Sequence, residues 1–404
     1  MPPALLALAL SAFAIGTTEF VTNGLLTALA ADFDVTVART GLVTTVYAVG
    51  QACGPALALL TLRMPRRRLL VLLMLLFTAG NLASALAPTF GLLLATRFLT
   101  GCTHTAFFGV ASVVASRLVP TARQGAAIAL VFTGLSLANV LGLPIGTLAG
   151  QAWGWRGAFV LVAVLGAVGL LGLLRLLPRT DTAPAGATRD DTAPADAAPS
   201  LRAELAVFAD LRLWLALTAT AVGFGGLFAS FTFVQPMLTG VTGFGTGDVV
   251  WLLAVYGAGL VAGNWLAGRA ADRALVPTTA ALFAALALTL GLFTATVHHQ
   301  GAAVATLFLL GFCGFGLLTP TQAYVLRVAG RDSVLVGTAN TAAFGVGITL
   351  GSLLGAAVIE HGADTALPLT NLAGAAMTTL GLLVFALSAA TGPRRPASAP
   401  STPA

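Results

Sequence analysis

Lysine is missing from this chain altogether. All 20 basic residues are arginine, a skew that, with the excess of alanine and leucine, points to a GC-rich coding bias more than to a function. Charge of either sign is scarce. Charged residues make up 8% of the 404 positions and hydrophobic ones 57%, which excludes a water-soluble fold and leaves a polytopic membrane protein. The arginines fall in short loops and not on a solvated face, so the basic balance gives no reason to expect nucleic acid as a partner. Only three cysteines occur, Cys53, Cys102 and Cys313, each inside an apolar run. They are expected to be small buried hydrophobes with no disulfide or metal role. No phosphate-cradling glycine loop is present, so ATP is not the energy source within the chain. Acidic residues cluster only in a low-complexity stretch, which leaves no carboxylate pair for the metal of a membrane-embedded lipid transferase. The chain is therefore not expected to be an enzyme, and nothing in it requires a cofactor.

What the chain has is apolar length. Twelve segments suffice to cross a ~30 Å hydrocarbon core, which takes about 20 helical residues. They lie near 4–29, 39–62, 69–87, 91–116, 125–149, 157–177, 211–238, 247–268, 276–297, 301–326, 334–359 and 366–389. Alternate loops carry Arg63 with Arg66, Arg67 and Arg68, then Arg117 and Arg123, Arg175 and Arg179, Arg269 and Arg273, Arg327 and Arg331. Arg394 and Arg395 follow in the tail, whereas the opposite loops hold mainly Asp32, Asp34, Arg39, Arg156, Asp248, Glu360 and Asp364. Arginine-rich short loops stay cytoplasmic, so both termini are expected inside. The first run lacks a basic n-region and is longer than a signal core, so it is expected to remain as the first span.

Pro178 to Asp210 repeats Asp-Thr-Ala-Pro at Asp181 and Asp191 and cannot bury a core. It is expected to be a cytoplasmic linker between six-helix bundles at 1–177 and 211–390, with 391–404 a disordered tail. Sliding the halves by roughly 205–210 positions sets Gly54 to Arg68 against Gly263 to Arg273, and Gly142 to Gly146 against Gly351 to Gly355. The expected fold is an all-α membrane protein of twelve transmembrane helices in two pseudo-symmetric six-helix bundles, a transporter architecture with a midplane site. A lipid-surrounded monomer is expected.

Within the first span Glu19 is followed by Thr22 and Asn23 on one helical face. A carboxylate at that depth costs roughly 2.5–3.5 kcal/mol, so it needs a partner or a task. Arg97 in the fourth span lies at a depth that lets it face Glu19, and His104 follows two turns deeper on the same side. A neighbouring guanidinium favours the charged carboxylate and desolvation favours the neutral acid, so modest rearrangement can load or empty it. Three readings stand together: direct proton carriage by Glu19, gating of proton access by Arg97 with Glu19 binding substrate, or a static ion pair between them. His104 extends a proton path, contacts substrate or packs as a hydrogen-bonded core residue.

Pocket candidates are Asn23, Tyr47, Gln51, Asn139, Phe231, Gln235, Gln322, Tyr324 and Asn340, which suit an amphipathic ligand or simple interhelical hydrogen bonding. Gly142 and Gly146 permit close helix approach and Pro144 can bend its span, which suits a sealed path in an exporter or plain packing. Arg269, Asp272 and Arg273, after Gly268, can form an ion-pair network that closes the cytoplasmic side, or remain loop charges.

Several of these residues carry a resemblance. Gly263 to Arg273 matches the Gly-x-x-x-x-Gly-Arg-x-x-Asp-Arg loop of the major facilitator superfamily, and Arg97-Phe-Leu-Thr-Gly101 matches its fourth-span motif. Gly134 to Gly146 resembles its antiporter glycine-proline motif. Gly16-Thr-Thr-Glu-Phe-Val21, Met64 to Leu70, His104 to Gly109 and Gly154-Trp-Arg156 resemble the twelve-span drug:proton antiporter branch that includes actinobacterial chloramphenicol exporters and bacterial arabinose-efflux proteins. The chain departs from it in lacking an acidic residue between Gly54 and Arg63 and in having Thr105 after His104. The resemblance implies proton-coupled export of small amphipathic drugs, a phenicol foremost, from a bacterial inner membrane. Efflux of a sugar or other native metabolite is the alternative.

Overall fold

The computed structural model describes residues 2–60, 64–120, 124–178, 207–329, 334–362 and 366–391. The expected linker and tail fall almost entirely outside them. In the first half the chain runs through α1 (Pro3–Val21), a 3-10 turn at Thr22–Gly24, α2 (Leu26–Phe33), α3 (Val37–Thr40) and α4 (Leu42–Leu60). There follow α5 (Arg66–Ala85), α6 (Phe90–Arg117), α7 (Gln124–Leu137), a π turn at Ala138–Gly142 and α8 (Leu143–Leu176). The second half has α9 (Leu211–Phe231), α10 (Val234–Gly240), α11 (Val249–Arg273), α12 (Leu275–Thr296), α13 (Gln300–Gly316), α14 (Leu318–Ala329), α15 (Val334–His361) and α16 (Ala366–Ala390). Helices prevail because a backbone in hydrocarbon must satisfy its polar groups within its own segment.

Ten stretches among the described residues are long and apolar enough to cross a membrane. One of them, Pro144–Leu176, turns at Gly154, whose φ of 73° and ψ of 168° break the helix and separate two passes. Leu42–Leu60 supplies the remaining pass, which gives the twelve expected. Two helix breaks were not legible as such. The first span is interrupted at Thr22–Gly24, one turn after Glu19, and the seventh is interrupted at Thr232 and Phe233 between α9 and α10. The π turn at Ala138–Gly142 precedes Pro144, whose ring would otherwise meet the carbonyl four residues back.

Each half has its own core. Leu5, Leu8, Leu73, Phe77 and Phe107 pack together in the first half, with Val21, Leu29, Trp155 and Phe159 at its other end. Leu227, Phe231, Tyr256, Phe283, Phe293 and Phe385 pack in the second. Internal symmetry shows at the closest helix crossings. A side chain at Gly101 in α6 would strike the Tyr47 carbonyl of α4, and one at Gly311 in α13 would strike the Tyr256 carbonyl of α11.

The halves meet along α4 and α15, where Gly345 lies against Ala48 and Ala52, along α8 and α11, and at the end remote from the termini. Leu26 and Ala38 pack there against Phe233 and Ala356. Gln235 donates to the Thr27 hydroxyl at 2.6 Å and accepts from the Thr27 amide at 3.3 Å. Thr45 donates to Ser352 Oγ at 2.9 Å. Of the cysteines, Cys313 is buried as expected, but Cys102 is half-buried and Cys53 exposed. Gly50 and Gly54 take the face against α6 and leave Cys53 to one side.

Candidate functional site

Glu19 occupies the last turn of α1, just before the helix gives way to the 3-10 turn. Its Oε1 accepts from Gln51 Nε2 of α4 at 3.2 Å, and its Oε2 lies 4.0 Å from His104 Nε2 of α6. The other ring nitrogen, Nδ1, shares a 2.9 Å hydrogen bond with the Tyr47 hydroxyl. The Glu19 side chain keeps 14% of its surface free of protein, while Arg97 has 0% exposure. Glu19 is the accessible member of the group and Arg97 the sequestered one.

The ion pair between Glu19 and Arg97 that their depths allow is not formed in this structure. Arg97 Nη1 donates to Thr18 Oγ1 and Nη2 to the Thr18 carbonyl, both at 3.0 Å. Thr18 Oγ1 in turn donates to Asn81 Oδ1 at 2.7 Å. The guanidinium carbon sits 4.1 Å from the centre of the Tyr47 ring, a cation–π contact that favours the charge in a desolvated place. Arg97 therefore grips the residue beside Glu19 and faces the tyrosine that binds His104. In this geometry no static bridge joins Arg97 to Glu19, and the two residues are linked only through Thr18 and Tyr47.

Around this group Asn23 is buried and accepts from Thr44 Oγ1 at 3.0 Å, with its Nδ2 unpartnered. Phe231 stacks on Tyr256, ring centres 4.1 Å apart. Gln235 stands farther out, in the seal between halves. The structure does not bring Gln322, Tyr324 and Asn340 to Glu19. Asn340 donates to Gln322 Oε1 at 2.7 Å across α14 and α15, and Tyr324 is bonded to Ser388 of α16 at 3.0 Å, its ring against Phe385. The side chain of Asn139 lies outside the described residues. Thr18, Asn81 and Tyr256 were not singled out from sequence. The only signal available for Tyr256 was its register with Tyr47 when the halves are superposed.

Gly142 and Gly146 lie against Thr17 and Val21 of α1, so they hold α1 close to its own half, and Pro144 stands in the first turn of α8 between them. The ion-pair network expected near Gly268 is not formed among the described residues. Asp272 and Arg273 are exposed, and Arg269 lies over the Trp265 ring at 3.6 Å. No three His, Cys, Asp or Glu side chains among the described residues gather as a metal site would require.

Known proteins agree with this architecture. The chain is 38% identical over 368 residues to the uncharacterized MFS-type transporter YtbD of Bacillus subtilis, covering 89% of each. It is 36% identical to the inner membrane transport protein YdhP of Escherichia coli, covering 95% of each. A chloramphenicol resistance protein of Streptomyces lividans is 34% identical over 89% of this chain and 90% of that protein. The crystal structure of a bacterial homologue of the human lysosomal transporter Spinster superposes with a TM-score of 0.75, covering 96% of both chains at 18% identity, a likeness of fold alone. The sequence model of the Major Facilitator Superfamily matches residues 8–352, and this chain is a member of that superfamily of transporters and not an enzyme.

Proposed function

We propose that this chain is a proton-coupled exporter of small amphipathic drugs, a phenicol foremost, working by alternating access in a bacterial inner membrane with both termini cytoplasmic. The observation that carries the reading is Glu19: a partly accessible acid just before the turn that packs on the second half, hydrogen-bonded to Gln51 and without a salt-bridging arginine. Such a group can gain and lose a proton without breaking a structural pair. His104, 4.0 Å from the carboxylate, and Tyr47, hydrogen-bonded to His104, would supply a short path for the proton, and Arg97 would bias that path through Tyr47 and Thr18. One proton crossing ~100 mV is worth roughly 2.3 kcal/mol, enough for about a fifty-fold gradient of a neutral drug. Arginine placement supports taking the end sealed by Gln235 and Thr27 as the outer one, so this state would load from the cytoplasm. Asn23, Gln51 and Phe231 would line the substrate's place. Gly142, Pro144 and Gly146 would make α1 move with its bundle, and Arg269, Asp272 and Arg273 would pair when the inner side closes.

The likeness to a chloramphenicol resistance protein supports the choice of substrate. Efflux of a sugar is the second reading, supported by the resemblance to arabinose-efflux proteins and by the polar anchors around Glu19. Labelled chloramphenicol and labelled arabinose are offered to cells with and without the protein. Lower chloramphenicol accumulation that a protonophore abolishes is expected. An effect on arabinose alone would replace the first reading with the second, and no energy-dependent difference for either would overturn both.

A further inference from the structure

The two tyrosines at matching places in the halves differ in what their hydroxyls do. Tyr47 and Tyr256 correspond because their carbonyls are the atoms that side chains at Gly101 and Gly311 would strike. Three residues beyond Gly101 stands His104, which holds the Tyr47 hydroxyl at 2.9 Å. Three residues beyond Gly311 stands Gly314, which has no side chain to offer. The Tyr256 hydroxyl accordingly has no hydrogen-bond partner, although the residue is only 1% exposed. Burying a hydroxyl unpaired is unfavourable, and such a group calls for a partner from outside the fold. Its ring is fixed by stacking on Phe231 and by the edge-on ring of Phe315, 6.2 Å away.

Across the interface, the 3-10 turn that follows Glu19 packs on α10, which follows Phe231. Glu19 is thus brought toward the side of the second half that holds the Phe231–Tyr256 pair. Glu19 Oε1 is taken by Gln51, but Oε2 lies 4.0 Å from His104 Nε2, beyond hydrogen-bond reach. An acceptor with room for a donor in one half and an unfilled hydroxyl in the other therefore stand on elements that meet at the same contact between the halves.

Building on the transport reading above, we propose that Glu19 Oε2 and the Tyr256 hydroxyl together hold one hydroxyl group of a neutral, hydroxylated substrate. The substrate O–H donates to Glu19 and its oxygen accepts from Tyr256, and an alcohol is the simplest group that does both. An organic cation satisfies Glu19 but leaves the tyrosine unpaired, and a ketone does the reverse. The site therefore favours neutral alcohols over lipophilic cations.

Binding of chloramphenicol, arabinose and tetraphenylphosphonium to the purified full chain is measured beside Tyr256→Phe, with thermal unfolding of both unliganded proteins and of Tyr47→Phe. Tyr256→Phe is expected to weaken the hydroxylated probes about tenfold, to leave tetraphenylphosphonium unchanged, and to unfold no earlier than the parent, whereas Tyr47→Phe unfolds earlier. Chloramphenicol binding equally to parent and Tyr256→Phe overturns the proposal and leaves drug export standing. Arabinose alone binding through Tyr256 overturns the drug reading and leaves the proposal standing. Failure of both hydroxylated probes to bind overturns the proposal, as does a fall in unfolding temperature for Tyr256→Phe as large as that for Tyr47→Phe.

Discussion

Gly101 and Gly109 lie two turns apart on α6, and replacing each with alanine should move stability in opposite directions. Alanine is favoured over glycine in a helix by about 0.8–1.0 kcal/mol. At Gly109, which is exposed with nothing within 4 Å of an added Cβ, that gain stands alone. At Gly101 the Cβ meets the Tyr47 carbonyl and lies 3.1 Å from the Cα of Gly50. These are backbone atoms that yield only if α4 and α6 separate. Overpacking costs about 1–3 kcal/mol, and against a backbone carbonyl it falls in the upper part of that range, about 2–3 kcal/mol, leaving Gly101→Ala net destabilised by about 1–2 kcal/mol and roughly 2–3 kcal/mol below Gly109→Ala. At about 2–4 °C per kcal/mol for a unit the size of one half, the variants should unfold roughly 5 °C or more apart. Thermal unfolding in detergent, read with a thiol-reactive dye, measures this. Because the displaced carbonyl belongs to Tyr47, the bond to His104 should loosen and transport should fall in Gly101→Ala alone. Shifts of the same sign and size in both variants would refute the α4–α6 packing on which the site is built.

Arg97→Lys should lower transport about tenfold or more at matched protein levels in vesicles, since one ammonium cannot grip both Thr18 atoms while lying flat on Tyr47; parental rates would mean that only the charge matters. Gln235→Ala removes both bonds to Thr27, about 1–2 kcal/mol, and should shift the population roughly tenfold away from this state. Spin-label distances across the Thr27 end report that shift, and unchanged distances would contradict the role given to the seal.

The membrane crossings were legible because apolar length and arginine-bearing loops are one-dimensional signals. The break at Thr22–Gly24 was not, because hydropathy continues unbroken through it. Glu19 stood out by its expense in hydrocarbon, yet its partners did not. Whether Arg97 meets Glu19 or Thr18 depends on a rotation of 100° per residue along helices that are apolar all round and so carry no strong facing signal. Gln322, Tyr324 and Asn340 share the composition of pocket residues, but their bonds to one another or to Ser388 keep them away from Glu19. Tyr256 became visible only when the glycine crossings fixed the register between halves.

The most direct measurement is uptake of labelled chloramphenicol into inside-out vesicles under an imposed proton gradient, with the parent and Glu19→Gln compared at equal reconstituted amounts. The parent should concentrate the drug, and Glu19→Gln, isosteric and still able to bond Gln51, should only let it equilibrate. Undiminished concentration by Glu19→Gln would remove this acid from the coupling.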